Sequence, residues 1–147
     1  MKSEEDKPIN LKAFIPYRLT RISEDFGKMS AQGYKKYNVT SPEWRILAIL
    51  TEYGSASSKF LQDQSALSRS RVNRTLDKLV SKKWVSRKFE EYDRRQNKIT
   101  LTTLGISTFA EAARVVNDMQ SEWLRNFSKT EISQLYKLME KLEDQLP

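Results

Sequence analysis

The spacing of the apolar residues changes near the middle of the chain. In residues 68–82 they recur every three or four positions, which predicts a helix with one buried face. Residues 84–89 and 98–102 alternate apolar with polar residues instead, as strands do. A short helix is predicted at residues 57–65, so the order is helix, turn, helix and then a two-stranded hairpin. The apolar face of the second helix is predicted to comprise Val72, Leu76, Leu79 and Val80.

Long helices are predicted on both sides of this region. The chain contains only four glycines and four prolines, so few residues interrupt a helical pattern. Residues 11–37 carry apolar residues at helical spacing, and Pro16 marks the point where this helix begins or kinks. A helix of about six turns is expected from Thr103 onward. The sequence Ser-Lys-Thr-Glu at residues 128–131 is a capping box and predicts the start of the last helix.

A further helix is predicted between the first long helix and the helix-turn-helix. Ser41, Pro42 and Glu43 form a helix start, with Ser41 as the N-cap and Pro42 at the first helical position. The residues that follow are apolar on nearly all sides, which indicates burial, and Gly54 is expected to end the helix. The predicted fold class is therefore mainly α: a winged helix-turn-helix with a two-stranded β wing, flanked by N- and C-terminal helices.

The net charge of +7 is concentrated in one segment. Residues 68–98 hold eleven basic and four acidic residues, whereas the rest of the chain holds fifteen of each. An excess that is so localised predicts a polyanionic partner, most often nucleic acid. Two alternatives stay open at this point. The segment could be a solvated basic face without a partner, or it could meet an anionic membrane, although it lacks a continuous amphipathic helix.

The chain contains neither cysteine nor histidine. This composition excludes disulfide scaffolds, thiolate or imidazole metal sites and histidine-dependent catalysis. No pair of acidic residues has a recognisable catalytic spacing, so we expect no enzyme, no cofactor and no metal site. Residues 1–8 lack the apolar core of a signal peptide, and the apolar run at residues 46–50 is too short to span a bilayer. We therefore expect a cytoplasmic, nucleoid-associated protein without a membrane partner.

Four segments of the sequence resemble the MarR family, the multiple-antibiotic-resistance-type regulators of bacteria and archaea. They are residues 39–47 (VTSPEWRIL), 67–74 (LSRSRVNR), 79–87 (LVSKKWVSR) and 93–105 (DRRQNKITLTTLG). They occur in the family's order and spacing, and the resemblance extends over residues 10–146. The chain departs from the family just before the first wing strand, where the usual glycine is replaced by Lys83 followed by Trp84.

The resemblance implies a homodimeric winged helix-turn-helix transcription factor, usually a repressor. It also implies a short pseudo-palindromic operator and release by a small, often aromatic or phenolic acid. The corresponding organisation is a charged tail at residues 1–10, dimerisation helices at residues 11–40 and 103–147, and a DNA-binding region at residues 41–102. Apolar stripes on charged helices also favour a second copy of the chain as partner, and a monomer with closely packed helices is the alternative. A winged-helix module that binds an acidic protein is the alternative for the basic face.

The helix at residues 68–82 is expected to enter the major groove of DNA with its N-terminal half. Asn73 and Arg74 are candidates for base contacts, because Asn suits adenine and Arg suits guanine. The first residues of the helix are expected at phosphates, although Arg69 falls near the apolar side of the helix. The DNA-binding candidates on this helix are Ser68, Arg69, Ser70, Arg71, Asn73, Arg74 and Lys78.

The tip of the predicted wing supplies three further candidates. Arg94 or Arg95 would enter a narrow minor groove, whose negative potential attracts a guanidinium group. Asp93 would orient one of the two arginines through an ion pair.

A small-molecule effector is expected between the first helix and the buried helix, near Tyr17, Arg18, Trp44 and Arg45. Arg18 would bind a carboxylate with its bidentate fork, and Tyr17 and Trp44 would form aromatic walls. The expected ligand is an anionic aromatic molecule. In the equally weighted alternative, Arg18 pairs with a carboxylate such as that of Glu43, and Trp44 is part of the core.

Overall fold

The computed structural model describes residues 9–89 and 97–146. This part of the chain forms six helices and three short strands, and the mainly α winged helix-turn-helix predicted from the sequence is confirmed. Along the chain the elements are α1 (Ile15–Lys35), α2 (Ser41–Tyr53), β1 (Ser55–Ala56), α3 (Ser58–Ser65), α4 (Arg69–Ser81), β2 (Val85–Phe89), β3 (Asn97–Leu101), α5 (Thr103–Trp123) and α6 (Lys129–Glu143).

The sheet has three antiparallel strands in the order β1-β3-β2, whereas the sequence predicts two. Strands β2 and β3 pair along their whole length, from Val85 opposite Leu101 to Phe89 opposite Asn97. The missed strand β1 pairs Ala56 with Ile99. It is only two residues long, so no alternation of apolar and polar residues could have revealed it.

The hydrophobic core lies where α2, α3 and α4 meet the sheet. The apolar face predicted for α4 is correct except at Val80, whose side chain is 40% exposed. Thr75 is buried there instead, and its hydroxyl donates to the Arg71 carbonyl oxygen at 2.7 Å, so burial leaves no unpaired donor. The large apolar side chains with the lowest exposure are those of Ile46, Leu47, Leu50, Leu61, Val72, Leu76, Leu79 and Ile99.

Most of the predicted helix ends are confirmed, but the N-cap of α2 is Thr40 rather than Ser41. The Glu43 carboxylate accepts hydrogen bonds from the Thr40 backbone N–H at 2.8 Å and from its hydroxyl at 2.9 Å. A capping box needs its two members three positions apart, and Thr40 has that spacing from Glu43 whereas Ser41 does not. Gly54 ends α2 as predicted, because its φ of 72° belongs to the left-handed region that glycine adopts without strain.

The flanking helices pack differently from the core. Helix α1 runs along α5, where the rings of Phe26 and Trp123 stack with centroids 4.7 Å apart. Helix α6 begins at the predicted capping box of Ser128 and Glu131 and has no buried residue. Because most apolar side chains of α6 are exposed within the chain, with Ile132 half-buried, this end of the molecule offers an uncovered apolar surface.

Candidate nucleic-acid interface

Helix α4 begins with a tight turn and exposes the start of its outer face. Ala66, which ends α3, takes the left-handed conformation with φ 53°, and the chain changes direction there between α3 and α4. The Ser68 hydroxyl then caps α4 and accepts from the Arg71 backbone N–H. Six of the seven DNA-binding candidates of this helix are exposed, and Asn73 is half-buried. Arg69 is among the exposed ones, so the helix offers its first turn to a partner.

Three of these candidates lie beside the N-terminus of α2. Arg71, Arg74 and Lys78 face the same side of α4, at positions i, i+3 and i+7. They line an open cleft of about 400 Å³ together with Thr75 of α4 and with Thr40, Pro42 and Glu43 at the start of α2. The three cations outnumber the one carboxylate of the lining, that of Glu43, which is itself paired with Lys82. The cleft therefore has the positive potential that attracts phosphate groups.

The other side of α4 approaches the wing. Arg87 on β2 pairs with Asp77 on α4, with 3.7 Å between Nη1 and Oδ1, and its guanidinium lies 5.2 Å from the ring centre of Phe89. The Arg87 guanidinium therefore offsets the negative charge of the Asp77 carboxylate, which reduces the repulsion between Asp77 and DNA phosphates. Asp93, Arg94 and Arg95 lie outside the described residues.

Two lysines that the sequence reasoning did not single out face each other on the wing. Lys88 and Lys98 are directly opposite in the β2–β3 register, and both are exposed. Like charges in this position are unfavourable unless an anion lies nearby. The alternation of apolar and polar residues in the two predicted strands was the sequence signal that could have placed both lysines on the hairpin.

Lys83, at the position where the resembled family usually has glycine, adopts a left-handed backbone conformation. Its φ of 59° is left-handed, a region that a residue with a Cβ atom enters only at a cost. The next residue, Trp84, accepts a hydrogen bond from the Thr102 backbone N–H through its carbonyl oxygen at 3.0 Å. A Cβ atom on Gly105 would lie only 2.0 Å from that same oxygen, so the base of the wing packs directly on the backbone of α5.

The structure does not bring the four effector candidates together within one chain. Tyr17 and Arg18 lie in the first turns of α1 and line an open groove of about 440 Å³. Trp44 instead stacks on Tyr34, with centroids 5.0 Å apart, and packs against Phe109. Tyr34 lies seventeen residues beyond Tyr17 in the same helix, a distance of about 25 Å.

Arg45 and Glu43 have other partners within the chain. Arg45 donates to the Ser65 carbonyl oxygen at 3.1 Å. Glu43 pairs with Lys82 and not with Arg18, so the suggested Arg18–Glu43 pair is wrong. The alternative role for Trp44, as a residue packed against the core, is confirmed.

Neither a metal site nor a membrane span is found in the described residues. In residues 9–89 and 97–146, no three acidic side chains are arranged to hold a metal ion. The helices of the same ranges are too short or too polar to cross a membrane.

Comparison with known proteins gives a consistent result. The MarR family model matches residues 39–96. A MarR family transcriptional regulator from Silicibacter pomeroyi is 26% identical, with 97% of each chain covered and a TM-score of 0.82. A mutant of MarR from E. coli, solved with operator DNA, is 22% identical, with 96% of this chain and 100% of that chain covered and a TM-score of 0.79.

A third solved structure concerns a regulator with a known ligand. It is BpsR from Bordetella bronchiseptica, whose DNA binding is regulated by 6-hydroxynicotinic acid. It is 18% identical, and the alignment covers 95% of this chain and 100% of that chain with a TM-score of 0.82. At this identity the likeness shows the shared fold.

The basic helix, the turn that precedes it and the wing define a winged helix-turn-helix protein that binds DNA. The MarR family model matches the winged region, and a MarR family transcriptional regulator shares the fold over nearly the whole chain. Transcription regulators of this family are non-enzymatic DNA-binding proteins.

Proposed function

We propose that this chain is a homodimeric repressor that binds a pseudo-palindromic operator and leaves it when a small anionic aromatic ligand binds. The observation that carries the proposal is the exposed basic side of α4, where Arg71, Arg74 and Lys78 share one open cleft. Residues 41–102 form the DNA-binding region in this proposal, and residues 11–40 and 103–147 form the dimer. Such a protein acts where the chromosome is, in the cytoplasm.

Arg74 is the proposed base-reading residue of α4. Its side chain is exposed on the outer face of the helix, where it can reach the two acceptors of a guanine in the major groove. Asn73 is half-buried and has less freedom to reach a base edge. Ser68, Arg69, Ser70, Arg71 and Lys78 serve as phosphate contacts, which fix the position of the helix on the duplex.

The test measures binding to an operator selected from a random duplex library. Arg74→Ala is expected to weaken operator binding by about 1–3 kcal/mol and to relax base preference at one position in each half-site. Arg114→Ala removes the same charge from α5, away from the basic helix, and is the matched control. If Arg74→Ala behaves like Arg114→Ala in affinity and base preference, Arg74 does not read a base.

The wing tip is assigned to the minor groove on sequence grounds alone. Arg94 and Arg95 would lie near phosphates, and Asp93 would orient one of them. Replacing both arginines with alanine is expected to make the slope of log K against log salt shallower, by about one unit for each phosphate that the variant no longer neutralises. An unchanged slope with unchanged affinity would remove the wing tip from the interface.

The dimer is supported by the apolar side chains that α1 and α6 leave uncovered. Monomeric soluble proteins rarely expose an apolar surface that extends along two helices. A second copy of the chain offers the same two stripes and can cover them by twofold symmetry. The exposed side chains of the two helices include Ile15, Leu19, Ile22, Phe26, Leu135, Leu138, Met139 and Leu142, and the exposed Leu146 follows α6.

The effector site is proposed at the groove of Tyr17 and Arg18. Lys12 and Arg21 also line this groove, so three cations and an aromatic ring surround one open space. This combination suits the carboxylate and ring of an aromatic acid. Trp44 and Arg45 of the same chain are not part of this site. They lie in α2, where Trp44 packs on Tyr34 near the far end of α1.

The effector proposal is tested by calorimetry and by release of a labelled operator, with benzoate and 6-hydroxynicotinic acid as probes. Arg18→Ala is expected to abolish both binding of the probe and release of DNA. Lys28→Ala removes a charge from an exposed position further along α1 and is the control. A variant without Arg18 that still binds the active probe and still releases DNA would place the site elsewhere.

A further inference from the structure

Lys82 belongs to the basic segment of the sequence, but its ammonium group is used inside the molecule. It follows the last residue of α4, and its Nζ donates to Glu43 Oε1 and to the Asn38 carbonyl oxygen, both at 2.7 Å. The same ammonium lies 4.5 Å from the ring centre of Trp84. Only 22% of the Lys82 side chain is exposed, and 1% of that of Glu43.

These contacts connect three separate parts of the fold. Asn38 lies three residues beyond the end of α1, in the junction that leads to α2. Glu43 lies in the first turn of α2, and its second carboxylate oxygen is already held by the backbone and hydroxyl of Thr40. Trp84 immediately precedes the first strand of the wing. The ammonium thus joins the end of α4 to the α1–α2 junction and to the base of the wing.

A buried ion pair of this kind fixes geometry more than it adds stability. Apolar residues of similar volume can fill such a space at equal or lower cost in free energy. An ammonium group between a carboxylate and a carbonyl oxygen, however, is held in a defined direction by its hydrogen bonds. The left-handed φ of 57° at Asn38 is compatible with asparagine, and its carbonyl oxygen is the acceptor.

We infer that Lys82 is a positioning residue for DNA recognition. Its ammonium sets the angle between α4 and the α1–α2 junction, and through α1 it sets the separation of the two recognition helices in the dimer. That separation has to match the distance between half-sites on the duplex. Lys82 itself does not contact DNA. The inference rests on the proposed dimeric operator-binding function.

The test uses the full-length protein and the selected operator. Affinity is measured for the operator, for versions with one base pair added or removed between the half-sites, and for a random duplex. Lys82→Met removes the ammonium and keeps most of the aliphatic stem. Lys83→Met removes the charge of the neighbouring lysine and is the matched control.

Lys82→Met is expected to weaken operator binding by about tenfold or more, the size of one mismatched base pair, and to reduce the preference for the native spacing. Binding to the random duplex and its salt slope are expected to match those of Lys83→Met. Uniform weakening on all duplexes, with a salt slope shallower than that of Lys83→Met by about one unit, would show a phosphate contact and overturn the inference. Unchanged operator affinity and unchanged spacing preference would also overturn it.

A second variant covers the case in which Lys82→Met does not fold. Glu43→Gln preserves the capping box, which accepts either residue, but removes the charge that holds the ammonium. It is expected to relax the spacing preference in the same direction, and a folded Glu43→Gln protein with the native preference would overturn the inference. A wild-type protein that binds no duplex specifically would instead contradict the proposed function, so the two failures are distinguishable.

Discussion

The winged region and the flanking helices differ in how they bury their apolar residues. In the winged region, Leu47, Leu61 and Leu79 are fully buried by contacts within one chain. In α6 the apolar stripe has the same helical spacing, yet Leu138 is 60% exposed and none of the residues of this helix is buried. The core is therefore completed within one chain, with Tyr34 of α1 and Phe109 and Ala112 of α5 contributing to it, whereas the apolar stripe of α6 is a surface suited to a second copy. In the proposed function, recognition and assembly therefore depend on different parts of the molecule.

The largest expected effect comes from one substitution in each region. Leu79→Ala is expected to lower the free energy of unfolding by about 2–5 kcal/mol, because it leaves a cavity in the core of the winged region. The corresponding Tm loss is expected at every protein concentration. Leu138→Asp is expected to weaken the dimer, so that its Tm falls most at low concentration.

Thermal unfolding at several concentrations, together with sedimentation, separates the two cases. A native-like dimer of Leu138→Asp at low micromolar concentration would contradict the difference between the regions. A wild-type protein that sediments at about 17.2 kDa would contradict the dimer itself.

A smaller and opposite effect is expected at the base of the wing. Lys83→Gly relieves the left-handed backbone conformation, so it is expected to stabilise the protein by about 1 kcal/mol. Lys88→Gly places glycine in a strand and is expected to destabilise the wing instead. Denaturant titration measures both, and a destabilised Lys83→Gly would mean that the lysine side chain compensates for the strain.

The smallest expected effect lies at the start of α6. Ser128 donates two hydrogen bonds to the Glu131 carboxylate, one from its backbone N–H and one from its hydroxyl. Both lower the pKa of Glu131, and the backbone hydrogen bond has the larger effect. Because the pKa is lowered on folding, this contribution to stability is present above the ordinary pKa of the carboxyl group. It is lost as the pH falls through the lowered pKa of the folded state.

Ser128→Ala removes only the hydroxyl, so the pKa of Glu131 is expected to rise part of the way towards its ordinary value. An NMR titration of the Glu131 side chain measures the change, with Glu140 in the same helix as reference. A pKa that does not move in the variant would contradict the role of the hydroxyl.

The sequence predicted those parts of the fold that depend on local patterns. The periodicity of α4, the capping box at Ser128 and the glycine end of α2 are all local, and the structure has them where they were expected. Strand β1 was missed because its two residues form a strand only by pairing with β3, which is distant in the sequence. Local patterns contain no information on such a pairing.

The candidate site was predictable to a different extent. The exposure of Arg71 and Arg74 follows from the helical face on which they lie, and the structure has them exposed. The effector candidates do not meet within one chain, because chemical suitability does not determine distance. Arg18 lies near the start of α1, whereas Trp44 of α2 packs on Tyr34 near the end of α1. The Lys82–Glu43 pair was missed for a similar reason, since its partners are 39 residues apart.

The sequence selected from a random duplex library tests the central claim most directly, because it reports recognition and assembly together. Two recognition helices related by twofold symmetry are expected to select an inverted repeat whose half-sites are about 10 base pairs apart, one turn of the duplex. The same preference is expected to weaken in Leu138→Asp. Enrichment of a single half-site without a repeat, or of no sequence at all, would contradict the account.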